Sequence, residues 1–203
     1  MSRVTVRFAE PERDAAGLLR VYAPYILETA ITFETEVPSE AEFGERVRSI
    51  GAHFPYLVLE IDGKPAGYAY AHRQAERAAY AWNAELSIYL EKAWRHRGLG
   101  EPLYRLLIEL LTMQGYVNLY AVITAENEAS IAMHRRMGFR EIGLHERTGF
   151  KLGRWHDVAW MALRTREGEP GRLLAVGELG DDRVRALMED VQKRLETLLK
   201  NAR

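Results

Sequence analysis

Over residues 3–9, Val4, Val6 and Phe8 alternate with polar neighbours, the period-two pattern of a half-buried strand. Pro11 then opens a stretch in which Leu18, Leu19, Tyr22, Ile26 and Leu27 recur at helical spacing, and Pro24 predicts a kink or break within that helix. Ser39 followed by Glu42 has the form of a capping box, so a second helix is expected from Ser39 to Ile50. The apolar runs Tyr56–Ile61 and Ala66–His72 flank Asp62-Gly63-Lys64-Pro65, which reads as a hairpin because Asp-Gly supplies the backbone conformation of a tight turn. Residues 80–90 predict a further strand, carrying Glu85, Ser87, Ile88 and Tyr89.

Beyond it the pattern becomes α/β. Residues 98–114 form an amphipathic helix with Leu103, Leu106, Leu107, Leu110 and Leu111 on one side, and 119–124 a buried strand. A short helix is expected over 127–137, stopped by Gly138, followed by strands at 139–147 and 155–163. Five glycines or prolines within 165–180 mark the edge of a core domain, 1–164, from a tail, 165–203. In the tail, Asp181 caps a helix whose apolar stripe (Val184, Leu187, Met188, Val191, Leu195, Leu198, Leu199) must be covered, either by its own domain or by a second copy. No internal repeat or low-complexity segment is present.

At 203 residues and 47% hydrophobic content, the chain suits one globular domain with an appendage. The 28 Lys and Arg against 29 Asp and Glu leave a formal charge of −1, which speaks against broad nucleic-acid or membrane binding. No apolar run approaches the roughly 18 residues of a transmembrane helix, and the first residues lack the pattern of a secretory signal, so a cytoplasmic address is expected. The absence of cysteine removes disulfides, thiolate metal sites and cysteine nucleophiles. His53, His72, His96 and His145 show no metal-ligand spacing, so no metal is expected.

The segment richest in chemistry is Arg95-His96-Arg97-Gly98-Leu99-Gly100, between a strand and a helix. Free N–H groups at a helix N-terminus, glycines that let an anion approach, and nearby arginines together suit a pyrophosphate. A tight strand-to-helix connection with solvated arginines explains the same residues. The spacing is neither that of a P-loop nor of a dinucleotide fingerprint.

This segment resembles motif A of the GNAT superfamily of acetyl-CoA-dependent N-acetyltransferases, and residues 121–139, through His134-Arg135-Arg136-Met137-Gly138-Phe139, resemble its motif B. With Thr29–Glu34, Tyr80–Glu85 and Gly149 through Val158, the chain is similar to the phosphinothricin and methionine-sulfoximine N-acetyltransferase branch over about residues 3–164. Position 134 is His where the superfamily commonly has a catalytic Tyr, a departure characteristic of that branch. The resemblance implies an α+β GNAT fold, a mixed splayed sheet flanked by helices, here with an extra C-terminal helix. It implies acetyl-CoA as co-substrate, a small-molecule amine acceptor, direct transfer in a ternary complex, and a homodimer.

By the same resemblance, Glu85 takes the amine proton and His134 is its partner; a strand carboxylate paired with Arg77 or another cation, and a structural imidazole, are the alternatives. The backbone of Ile88, Tyr89 and Leu90 would pair with pantetheine, Arg95 to Gly100 would hold the pyrophosphate, and Asn127 and Ser130 would meet the pantetheine arm, Asn127 doubling as a helix cap. Phe33, Arg73, Arg77 and Tyr80 are the candidate acceptor residues, and Trp82 an apolar wall or core residue. Gln74 and Ala75 stand where the branch has aromatic and basic residues, which bears on the acceptor. His156 and Asp157 are read as hydrogen-bonded fold residues. The rival readings are an acetyltransferase for a protein N-terminus, polyamine or antibiotic, and a non-catalytic acyl-CoA-binding dimerisation module.

Overall fold

A computed structural model describes residues 3–201. Seven strands, β1 (Val4–Phe8), β2 (Tyr56–Ile61), β3 (Lys64–Arg73), β4 (Asn83–Leu90), β5 (Asn118–Thr124), β6 (Arg140–Lys151) and β7 (Arg154–Arg164), form one sheet in the order β1-β2-β3-β4-β5-β7-β6. Neighbours are antiparallel except β4 and β5, which pair in parallel only at Asn83–Glu85 against Asn118–Tyr120. Beyond Glu85 the two strands part, leaving β4 without a partner on its β5 side.

The helices are α1 (Pro11–Glu28), α2 (Glu40–Gly51), α3 (Gly100–Gln114), α4 (Glu128–Arg136) and α5 (Asp181–Asn201). Alternation along the central strands sorts side chains to two faces. Leu57, Leu59, Ala69, Ala71, Ala84 and Leu86 meet the leucines of α3, whereas Tyr56, Val58, Tyr68 and Tyr89 meet α1 and α2. That double burial is why β2 reads as a continuous apolar run.

The capping box at Ser39 is present in full, Ser39 Oγ accepting from the Glu42 N–H and the Glu42 carboxylate from the Ser39 N–H. Several expectations are corrected. Pro24 neither ends nor breaks α1, because near the C-terminal end it removes only one main-chain bond from a helix whose other face is buried. β4 begins at Asn83, since 78–80 form a single 3₁₀ turn, and α3 begins at Gly100, since Gly98 has φ +75°. β6 extends to Lys151, closing on β7 through Leu152-Gly153, both at positive φ.

The tail lies on its own domain. The linker is anchored where Trp82 Nε1–H donates to the Gly171 carbonyl (2.7 Å) and the Gln114 amide donates to the Leu174 carbonyl (2.9 Å). α5 packs on α3 and β1; Val184, Leu195 and Leu199 are buried in the main core, with Leu187, Met188, Val191 and Leu198 against it. Full burial of such side chains stabilises by roughly 1.5–3 kcal/mol each. The stripe is thus covered within one chain, the first of its two readings, with Leu187, Met188, Val191 and Leu198 only partly buried. Residues 202 and 203, within the expected span of that helix, lie outside the described residues.

Candidate active site

The parting of β4 and β5 creates a groove of about 450 Å³ lined by Ile88, Leu90, Arg95, His96, Gly98, Leu99, Gly100, Asn127, Ser130 and, from α4, Met133 and Arg136. Sequence-chosen residues from three segments therefore meet on one wall. At its mouth the first turn of α3 has no side-chain cap, so its N–H groups face the groove with the positive end of the helix. Glycine is favoured at 98 by its positive φ, whereas at 100 a Cβ would stand in ordinary contact with the Leu90 and Ile88 side chains, at 3.4 and 3.5 Å.

Not every expected contact is available. Tyr25 Oη donates to the Leu90 carbonyl (2.6 Å) and accepts the Leu90 N–H (3.0 Å), so that backbone is already used. The Tyr89 ring packs edge-on against Tyr22 and Tyr25, at 4.7 and 5.0 Å between centroids, so its side chain serves the core while the residue still borders the smaller cavity. Arg97 is not on the groove; its guanidinium lies over the Trp94 ring. Arg95 borders the groove but is held by the Leu90 carbonyl (3.2 Å) and the Tyr25 ring. Arg136 of α4 also lines it.

Deeper between the strands is a smaller cavity of about 60 Å³, lined by Ser87, Ile88, Tyr104, Thr124, Asn127, Ser130 and His134 among others. His134 is 2% exposed. Its Nδ1–H donates to the Ser130 carbonyl (2.8 Å), which can only accept, and this leaves Nε2 to accept the Tyr104 hydroxyl proton (2.9 Å). Burial pushes the imidazole below its ordinary pKa, so it is held neutral as a single tautomer. Asn127 caps α4, Oδ1 accepting from the Ser130 N–H at 3.3 Å, and also borders both cavities, so its two expected roles coexist.

Glu85 lies on the α1–α2 side of β4, opposite His72 of β3, whose Nε2 is 3.7 Å from Oε1. Burial raises the Glu85 carboxyl pKa, and the nearby His72 lowers it. The competing pairing with Arg77 is absent among the described residues, Arg77 being exposed ahead of the 78–80 turn. Glu85 and His134 do not hydrogen-bond each other; Tyr104, bonded to His134, has its pKa raised by burial and, to a smaller extent, by the Glu85 charge.

The candidate acceptor residues are not brought together. Arg73 borders a cavity of about 710 Å³ with His72, but Tyr80 is exposed and outside it, and the Phe33 ring lies against Gly149, where a Cβ would overlap it. Trp82 is a linker anchor rather than a wall of this cavity. His156 is a fold residue as expected, between Glu126 (3.1 Å) and the Lys151 carbonyl (3.0 Å), and the Asp157 carboxylate accepts the Arg147 N–H (2.7 Å). The residues that sequence reasoning missed are Tyr104 and His72, together with Glu34 and Arg46 (2.6 Å), which lie beside Tyr70 on the Glu85 side of the sheet. No group of three His, Asp or Glu among the described residues is placed to hold a metal.

Comparison with known proteins agrees with this geometry. The sequence pattern of the acetyltransferase (GNAT) domain matches residues 8–160. The phosphinothricin N-acetyltransferase of Streptomyces viridochromogenes is 32% identical over 147 residues, 72% of this chain and 80% of that protein. The L-methionine sulfoximine/L-methionine sulfone acetyltransferase of Pseudomonas aeruginosa is 35% identical over 155 residues, 74% and 88% of the two chains. A GNAT superfamily phosphinothricin acetyltransferase from Sinorhizobium meliloti, crystallised with acetyl-CoA, superposes with a TM-score of 0.79 at 38% identity, covering 83% of this chain and 93% of that one.

Proposed function

The chain belongs to the GNAT acetyltransferase family and has its fold, and from that premise we propose that it transfers acetyl from acetyl-CoA to the α-amine of a small amino-acid analogue of the phosphinothricin or methionine-sulfoximine type. One observation carries the reading: the unpaired edge of β4 runs from the uncapped N-terminus of α3 down to Glu85, so one strand joins an anion-binding mouth to a buried base. The pantetheine arm extends the sheet at Ile88, and the pyrophosphate lies at residues 95–100 with Arg136 beside it.

A buried carboxyl of raised pKa accepts a proton from the acceptor's ammonium, freeing the amine lone pair. The amine nitrogen attacks the thioester carbonyl, the C–S bond breaks, and the second nitrogen proton ends on the departing thiolate, so an amide and free coenzyme A form without an acyl-enzyme. His134, neutral and bonded at both nitrogens, holds the Tyr104 hydroxyl at the reacting cavity. Arg46 is the cation on the Glu85 side for an acceptor's anionic group.

The molecule associates as a homodimer through β6, the outermost strand, where Ile142 and Leu144 are about half exposed and one strand edge is unpaired. A panel of amine acceptors, followed by release of free coenzyme A, tests the activity. Turnover with amino-acid analogues supports it; turnover confined to peptides, polyamines or antibiotics replaces the acceptor class, and none with any amine favours a binding module.

A further inference from the structure

We infer that the C-terminal helix is a positioning element for the coenzyme loop, acting through Leu198. The family match ends at residue 160, so α5 lies outside the part of the chain that the family accounts for. Its last turns nevertheless reach the loop between β4 and α3. A methyl-sized group placed on Gly98 would stand 3.8 Å from both Leu198 methyls, so that side chain forms the floor beneath the one loop glycine held at φ +75°. Trp94, at the start of the same loop, and Leu198 both pack against the main core cluster, which includes Leu195 and Leu199.

Leu99, at the N-cap of α3, makes no capping bond, and Arg95 and Arg97 lean away onto Tyr25 and Trp94. Leu99 is anchored by its own burial in the core, so the part of the loop left to be held from beneath is at Gly98, and Leu198 is what lies under it. N–H groups aimed at an anion lose their advantage when displaced by an ångström or so. Leu198 is half-buried and touches neither cavity, so it acts through the loop and not on the coenzyme itself.

This rests on assigning residues 95–100 to the coenzyme pyrophosphate, and the experiment separates the two. In the full chain, Leu198→Ala is compared with wild type for binding of acetyl-CoA and for turnover with S-acetylpantetheine, which lacks the nucleotide and its pyrophosphate. The expected result is a Kd for acetyl-CoA raised about tenfold, ~1.4 kcal/mol, with the KM for S-acetylpantetheine unchanged. Leu195→Ala, in the core of the same helix, lowers the melting temperature without changing the ratio of the two, and Leu198→Met restores wild-type affinity. Should Leu198→Ala not fold, Leu198→Val is read in the same way. Unchanged acetyl-CoA affinity, or equal weakening toward both compounds, overturns the inference. If Gly98→Val weakens acetyl-CoA while Leu198→Ala does not, the helix alone is at fault; if Gly98→Val has no effect, the loop assignment falls and the inference with it.

Discussion

The Tyr104 hydroxyl donates to His134 Nε2 at 2.9 Å while His134 Nδ1–H is committed to the Ser130 carbonyl, so phenol and imidazole form one fixed unit against the cavity between β4 and β5. Tyr104 is the residue that α3 contributes to this cavity, and its phenol is the polar group there. Tyr104→Phe keeps the ring and removes the hydroxyl. Turnover should fall roughly 10- to 100-fold with the acetyl-CoA Kd little changed, as expected for a group acting in proton transfer rather than binding. Comparison of kcat with calorimetric Kd checks this; wild-type turnover in the variant would assign Tyr104 to packing alone.

His134 also ties stability to pH. Its folded pKa lies below the unfolded value of about 6.5, so below that value the unfolded chain binds more protons than the native one. Its contribution is present above pH ~6.5 and is lost as the pH falls through and below that value. Melting temperatures from pH 7.5 to 5.5 should therefore decline, and His134→Phe should flatten the slope even while lowering the plateau.

Glu85 must be ionised to take a proton, and burial raises its pKa while His72, 3.7 Å away across the strand pair, opposes the rise. The acid limb of kcat/KM should lie above the ordinary carboxylate range of about 4.3. His72→Gln removes the opposing influence, so the limb should move to higher pH with the high-pH plateau retained. Glu85→Gln should lower turnover by on the order of 10² to 10⁴. An acid limb that stays put in His72→Gln would mean that the pair is not coupled.

A different charged cluster governs stability. Arg7 forms two bonds to Asp14 (2.7 and 2.6 Å) and pairs with Glu60, joining β1, α1 and β2 where Asp14 is 2% and Glu60 5% exposed. Removing one member strands a buried charge, so Asp14→Ala should cost about 3–5 kcal/mol by urea denaturation. Exposed pairs such as Arg48–Glu12 should each cost less than about 1 kcal/mol.

What the sequence made legible was local. Asp62-Gly63 and the Ser39–Glu42 box act within a few residues, and both formed as read. Glu85, Gly98 and His134 were recognisable because strand, loop and helix carry them in family order, while His72 required the β3–β4 register to place it opposite Glu85. Tyr104 sits at core spacing in a leucine-rich helix, where pattern alone reads it as packing. β6 was underestimated because nearly all its residues are exposed, leaving no apolar period to extend. The α5 stripe announced that something must cover it, but amphipathicity does not name the cover; that was settled by α3 and β1.

This last point moves the expected dimer contact from the tail to the sheet edge. Among the described residues β6 pairs only with β7, and Ile142 and Leu144 are exposed at 48% and 46%, with Phe150, Leu152 and Trp155 exposed toward the hairpin end. An unpaired strand with apolar side chains can be closed by an antiparallel copy of itself about a two-fold axis, satisfying backbone groups and burying those side chains together. The α5 stripe has no such need, being buried against its own domain. Ile142→Lys with Leu144→Lys should therefore convert a dimer to a monomer by light scattering at low micromolar concentration, leaving the fold intact because both positions are exposed. Substituting the exposed α5 residues Arg185, Lys193 and Lys200 by Glu should leave the dimer unchanged. Truncation after Arg164 should lower the melting temperature by uncovering α3 and β1, yet leave β6 free to associate. A dimer that survives the β6 lysines but is lost with the α5 glutamates would return the interface to the tail, and a wild-type chain that is monomeric at these concentrations would remove it altogether.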